Sequence, residues 1–404
     1  MNDRSRIGND RFRIGNDRSG IGNERVAIVG VGWSGFRPVT PDRSYKELIY
    51  EAAVRAYADA GVNPRRDIES FVTVAEDFHE GTSIFDEYTP DQLGAVLKPM
   101  HTITGDGLHG LATAYMLIRT GQFSLVALEA HSKASNILTL PEITAYAQDP
   151  VLNRPLRFNS HFIAGLEMNR FLYESGATRE QCAEVVVKNR RNALANPSAP
   201  YGADLSVDQI LSGQPLSWPL GKREEAQLAD GAIVMVLASE ARANTLSDKP
   251  VWIRGIGWCN EAASLESREW GEAVYVRLAA RMAYRQAGFH DPRQVIDFAE
   301  VDDTYAYKEL QALEALGLYT QGEAGSATEM GATQPDGELP VNISGGSQGG
   351  GNLLDATGLA RALEVVIQLR GEAGPRQLQN IEVGLAQSWR GVPTTSGAVA
   401  VLSN

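Results

Sequence analysis

The sequence predicts an α/β protein made of two copies of one unit, and three observations carry that expectation. The stretch Val26-Ala-Ile-Val-Gly-Val-Gly-Trp33 returns as Val251-Trp-Ile-Arg-Gly-Ile-Gly-Trp258, and each reads as a buried strand that runs into a glycine turn. Helical apolar spacing follows both times, at Ala52, Ala53, Ala56, Tyr57 and Ala60 and again at Ala279, Ala280, Ala283, Tyr284 and Ala287. Gly61 and Gly288 stand where a helix C-terminus is usually capped. Each copy then enters a strand, residues 68–74 and 295–301, so strand, helix, strand occurs twice.

Each half also carries a later helix that starts in a glycine-containing loop, from Leu108 to Arg119 and from Asp355 to Arg370. Strands at Ser124–Leu128 and Ile381–Leu385 follow them. The expected organisation is a low-complexity tail over residues 1–25, a first half over 26–250 and a second half over 251–404. The first half holds an insertion at about 135–225 that includes a helix signal at Gln181–Arg190, and insertions of that length usually shape a binding site. The tail repeats Asn-Asp-Arg-x-x-Ile-Gly from Asn2, Asn9 and Asn16; it is polar, lacks an apolar stretch and reads as disordered rather than as a signal peptide.

Composition narrows the function classes. With 404 residues, 43% hydrophobic and 22% charged, the chain has a globular balance and no apolar run of membrane-spanning length. A formal net charge of -13 argues against a large nucleic-acid or anionic-lipid footprint, because polyanions are held by clustered Lys and Arg. Two cysteines, Cys182 and Cys259, make neither a disulfide framework nor a close-spaced metal signature, and both read as buried packing residues of a cytoplasmic protein. Gly30, Gly32 and Gly35 match the spacing of a dinucleotide fingerprint, but Pro38 and Pro41 block the helix that motif needs, and the second copy lacks the third glycine. The run from Gly345 to Gly351 has no following Gly-Lys-Ser/Thr and is not a nucleotide P-loop; it reads either as a flexible turn or as backbone that must approach something closely.

Several stretches together resemble one family. Asn342-Ile-Ser-Gly-Gly346 with the glycine-rich loop, Asp355-Ala-Thr-Gly358, and Gln368-Leu-Arg-Gly-Glu-Ala-Gly374 resemble the C-terminal signature of thiolases, most closely the sterol-carrier-type and archaeal acetyl-CoA acetyltransferase-like branch. Glu300-Val-Asp-Asp-Thr-Tyr305 and the stretch Arg179 to Asn189 are similar to other segments of that branch. The resemblance implies a five-layered αβαβα fold, acyl-CoA thioester ligands with no further cofactor or metal, and assembly as dimers.

It also implies where the chemistry should lie. The family's nucleophilic cysteine falls on Gly107, its first histidine on Asp302 and its second on Asn352, while Ser388 stands near a second cysteine position. Glycine cannot be acylated, an ionised aspartate cannot donate a hydrogen bond, and an amide cannot act as general base. His109, Asp302, Asp303, Tyr305 and Asn352 remain as candidate acid–base groups, and Gly346, Gly349, Gly350 and Gly351 as backbone that contacts the thioester. Taken singly, His109 reads rather as a hydrogen-bonded core histidine, the aspartates as strand-end caps or turns and Tyr305 as a packing residue; His131 and His161 have no motif behind them and read as solvent-facing or structural rather than catalytic.

The leading expectation is a thiolase-like acyl-CoA-binding protein without the standard machinery, acting as a non-catalytic or partner subunit. The alternative is carbon–carbon chemistry on an acyl-CoA: retro-aldol cleavage of a β-hydroxyacyl-CoA with His109 or Asp302 as base, or, further off, acetyl transfer. Expected partners are a second copy, an OB-fold protein with a zinc ribbon, or an active thiolase.

Overall fold

A computed structural model describes residues 24–76, 84–137, 139–261, 264–391 and 395–404. Most of the repeat tail therefore lies outside the described residues. The strands of the main sheet are β1 (Val26–Arg37), β2 (Ser70–Val74), β3 (Met100–Ile103), β4 (Leu125–Lys133), β5 (Asp230–Ser239), β6 (Val251–Asn260), β7 (Phe298–Glu300), β8 (Val383–Trp389) and β9 (Ser396–Ser403); a separate hairpin pairs Pro215–Ser217 with Leu220–Gly221. The helices that matter for the site are α1 (Tyr45–Asp59), α2 (Gly107–Arg119), α3 (Ser160–Ser175), α4 (Arg179–Ala193), α5 (Val274–Ala287), α6 (Ala306–Ala315), α7 (Gly346–Gly350) and α8 (Thr357–Arg370).

The nine strands run β3-β2-β4-β5-β1-β6-β9-β8-β7. Outward from the centre, the order β1-β5-β4-β2-β3 on one side is matched by β6-β9-β8-β7 on the other, and a parallel bridge from Ala299 to Val341 stands where β3 does in the first half. The two series join through Ala27↔Trp252 and Ile28↔Val251 alone.

Strand alternation sorts the side chains into layers. Ala27 and Val29 of β1, with Ala232, Val234 and Val236 of β5, pack under α1. Their neighbours Val26, Ile28, Ile233 and Met235 turn to a central core shared with α2 and α8 and with Ala398, Ala400 and Leu402 of β9. Val399 and Val401 of β9 face α5 and α6 on the far side. The layers are thus helix, sheet, helices, sheet, helices.

The duplicated glycines differ from expectation. They lie within β1 and β6 rather than in a turn ending them, and they let helices approach. A Cβ at Gly30 would come 2.5 Å from the Ala60 Cβ and one at Gly32 2.3 Å from the Ala52 oxygen; at Gly255 and Gly257 it would come 2.0 and 2.1 Å from the Ala283 and Ala279 oxygens. The small residues of both repeats are one device: glycine on the strand, alanine on the helix.

Candidate functional site

The two central helices start side by side, and one carboxylate caps both. Asp106 has extended backbone before α2; its Oδ1 accepts from Leu108 N at 2.9 Å and its Oδ2 from Gly358 N, in the first turn of α8, at 2.7 Å. Burial pushes this carboxyl up to about 6, opposed by the Ser388 hydroxyl, by the two N–H donors and by the charge of Arg361.

His109 completes the turn. The backbone N–H of Asp106 donates to its Nδ1 at 3.4 Å, which in the neutral ring leaves the proton on Nε2. That Nε2 is buried and meets no partner among the described residues. Burial, and then the positive charge of Arg390, lower the ring to about 4. His109 is therefore a donor and a very weak base, which corrects the expectation of a general base. Gly107 is closed as well as bare: a Cβ there would lie 2.6 Å from both the Cβ and the backbone nitrogen of Leu359 in α8.

Asp302 and Asp303 follow β7 and are both buried. Arg361 of α8 reaches them with one nitrogen, Nη2, at 3.0 Å from Asp302 and 3.4 Å from Asp303, and the same nitrogen lies 3.1 Å from the Ser347 hydroxyl. Asp303 also accepts from Ser347 N at 2.6 Å, Gln348 N at 3.1 Å and Asn189 Nδ2 at 2.8 Å. Burial raises it to about 6 even so, with the Arg361 charge opposing. Its geometry is that of a clamp on α7.

Asn352 uses its Oδ1 to accept from Leu354 N at 2.9 Å and Thr357 Oγ1 at 3.2 Å, so its amide nitrogen is the end left to donate outward. The glycine-rich run folds into helix α7 rather than a loop. Gly346 faces the Asp303 carboxylate, Gly349 faces Ala193 of α4 and Gly351 faces Ala229, so packing occupies three of the four candidate contact positions. Gly350 borders open space, a cavity of about 50 Å³ shared with Trp33, Phe36, Arg361 and Glu364.

Tyr305 is buried, its ring 6.2 Å from Tyr307 and 6.3 Å from Trp389. Desolvation raises its hydroxyl far above the normal range, the charges of Glu225, Glu167 and Asp302 adding to this, against a hydrogen bond with Ser160. Beside it Lys308 is buried, its Nζ 3.1 Å from Glu167, 3.0 Å from the Tyr275 hydroxyl and 4.4 Å above the Trp389 ring.

The end of β8 gathers these groups. Gln387 accepts from Asp302 N at 2.9 Å, Ser388 lies by Asp106, Trp389 by Tyr305, and Arg390 holds Glu76 while facing His109. The five candidates thus fall into an Asp106–His109–Arg390 group, an Asp302–Asp303–Arg361 group, and Tyr305 and Asn352 at their margins.

Asp106, Arg361 and Arg390 escaped sequence reasoning. Only Asp106 left a signal, as an aspartate directly before a helix. Of the cysteines, Cys182 is buried but Cys259 is only partly so, which corrects its reading as buried. His131 is sealed in the interior, its Nδ1 2.9 Å from Glu129 and its ring stacked on Tyr45. Among the described residues no helix is long and apolar enough to cross a membrane.

Residues 259–404 match the family model described as thiolase C-terminal domain-like. An acetyl-CoA acetyltransferase of Methanothermobacter thermautotrophicus is 31% identical over 93% of this chain and 98% of its own. Sterol carrier protein 2 of Bos taurus is 29% identical over 89% of this chain and 69% of its own. Among solved structures, the Ltp2-ChsH2(DUF35) aldolase superposes with a TM-score of 0.80 at 24% identity, covering 94% of this chain and 97% of that one. The fold is accordingly the five-layered thiolase fold, and the chain belongs to the thiolase superfamily, in the branch that holds the archaeal acetyl-CoA acetyltransferases and sterol carrier protein 2.

Proposed function

We propose that this protein binds a coenzyme A thioester and breaks the Cα–Cβ bond of its β-hydroxyacyl group by retro-aldol chemistry, without an acyl-enzyme. The observation that carries the reading is His109: a neutral ring whose Nδ1 is engaged by Asp106 and whose buried Nε2 donor meets no partner among the described residues. A fixed donor of that kind suits a thioester oxygen that gathers negative charge as an enolate forms, and the nearby Arg390 charge works in the same direction. Gly107 offers no nucleophile and no room for one, which separates this chemistry from acetyl transfer. Likeness to a solved aldolase complex supports the fold side of the reading. Asn352 Nδ2 and Tyr305 are the further donors, and a cytoplasmic dimer, or a complex with an OB-fold, zinc-ribbon partner, is the assembly that goes with it.

A second reading keeps the ligand and drops the reaction: a non-catalytic subunit beside an active thiolase. What favours it is Arg361, which ties Asp302 and Asp303 down together in one buried ion-paired group.

The test is to incubate the purified protein, alone and with its partner, with a β-hydroxyacyl-CoA and to follow the carbonyl fragment and shortened acyl-CoA by mass spectrometry, with calorimetry on the same samples. Product formation that falls about 10²–10³-fold in H109A is the expected result. Binding without product supports the non-catalytic subunit, and absence of binding overturns both.

A further inference from the structure

The insertion returns to the site through the start of α3. Asn159 caps that helix by accepting from Phe162 N at 2.9 Å, Ser160 hydrogen-bonds the Tyr305 hydroxyl, and His161 Nε2 lies 2.8 Å from Glu225 Oε1. Glu225 is in turn fixed against the site, since it forms an antiparallel bridge with Tyr305 and the next residue donates from Ala226 N to Thr304 O at 2.8 Å. The side chains of His161 and Glu225 are 20% and 26% exposed, unlike the buried aspartates, and Nδ1 of His161 takes no protein partner among the described residues.

Retro-aldol cleavage needs a base for the β-hydroxyl proton, and the groups already described are poor ones. His109 has its Nδ1 engaged and is lowered to about 4. Asp106 spends one oxygen on each helix, Asp302 is ion-paired at 3.0 Å, and Asp303 accepts from three donors besides Arg361. Among the described residues, His161 alone joins a carboxylate partner, a ring nitrogen without a protein partner and access from solvent, next to Tyr305.

We infer that His161, oriented by Glu225, is the proton-transfer residue of this site; the inference rests on the lyase reading. Nδ1 of His161 takes the β-hydroxyl proton, the O–H electron pair becomes the new carbonyl π bond, and the Cα–Cβ pair passes into the thioester enolate held at His109. The carbonyl fragment departs, Glu225 stabilises the imidazolium, and the same proton is returned to Cα to give the shortened acyl-CoA. Atoms and charges balance with no other reactant.

The experiment measures kcat and KM of the full chain, with its partner, for H161A, H161Q and E225Q, and adds free imidazole to H161A. A loss of about 10²–10⁴-fold in kcat with little change in KM, partly restored by imidazole, is expected for H161A. H161Q should show the same loss without stimulation by added imidazole, and E225Q a smaller one. Wild-type kcat in H161A, or a loss that imidazole does not restore while the melting temperature stays at the parent value, overturns the inference. Lack of turnover in the parent protein overturns the lyase reading and this inference together; turnover that survives H161A overturns this inference alone.

Discussion

Asp106 and His109 hold each other in opposite protonation habits: the backbone of one fixes the ring of the other at 3.4 Å, while burial raises the carboxyl to about 6 and lowers the imidazole to about 4. A raised carboxyl means the folded state binds a proton that the unfolded state has lost, so Asp106 favours folding as pH falls from 6 toward 4. A lowered imidazole means the unfolded state binds the proton first, so His109 disfavours folding over nearly the same range. Each runs at about 1.4 kcal/mol per pH unit, and together they nearly cancel. Relative to the parent, D106N should therefore lose stability, and H109Q gain it, as pH drops from 6.5 to 4. Urea unfolding of both variants at several pH values checks this, and parallel curves for parent and variants would refute it.

Putting the missing thiol back should not create a thiolase. In G107C the new side chain meets Leu359 in the neighbouring helix, and overpacking against backbone costs on the order of 1–3 kcal/mol. The expected outcome is a lower melting temperature with no acylated cysteine detected by intact-mass analysis after exposure to acetyl-CoA.

Arg361 neutralises two buried carboxylates at once. R361M should cost about 3–5 kcal/mol by chemical denaturation, the usual consequence of leaving buried charge unpaired. Adding D302N to it should recover part of that loss; an additive double mutant would show that the pair is not coupled.

The glycine pairs on β1 and β6 should behave alike. G32A and G257A each force a methyl onto a helix carbonyl or Cβ, at 2.3 and 2.1 Å from the nearest oxygen, so both should destabilise by roughly 1–3 kcal/mol in denaturant titrations. A neutral effect at either would separate the two halves in packing.

The duplication was legible because its signals are local and repeated: β-period strands, alanine-rich helices and glycines recur at matching offsets, and a repeat is visible without any knowledge of what touches what. His109, Asp302, Asp303, Tyr305 and Asn352 stand out in the sequence through motif order. Their roles were not, because a role depends on which atoms are already engaged. The glycines repeated in both copies read from sequence as a turn ending each strand; only the distances from Gly32 to Ala52 and from Gly257 to Ala279 show that they are packing contacts.

The amino-acid sequence by itself determined the two-copy architecture and the absence of a nucleophile at Gly107, since composition and periodicity act along the chain. Tertiary structure alone decided that Asp106 caps two helices, that Arg361 binds both aspartates, and that His109 faces inward as a donor. These depend on partners up to 252 residues away, and on burial, which sets proton affinity through desolvation. His161 and Glu225 are 64 residues apart with no motif between them, and only the fold brings them together beside Tyr305.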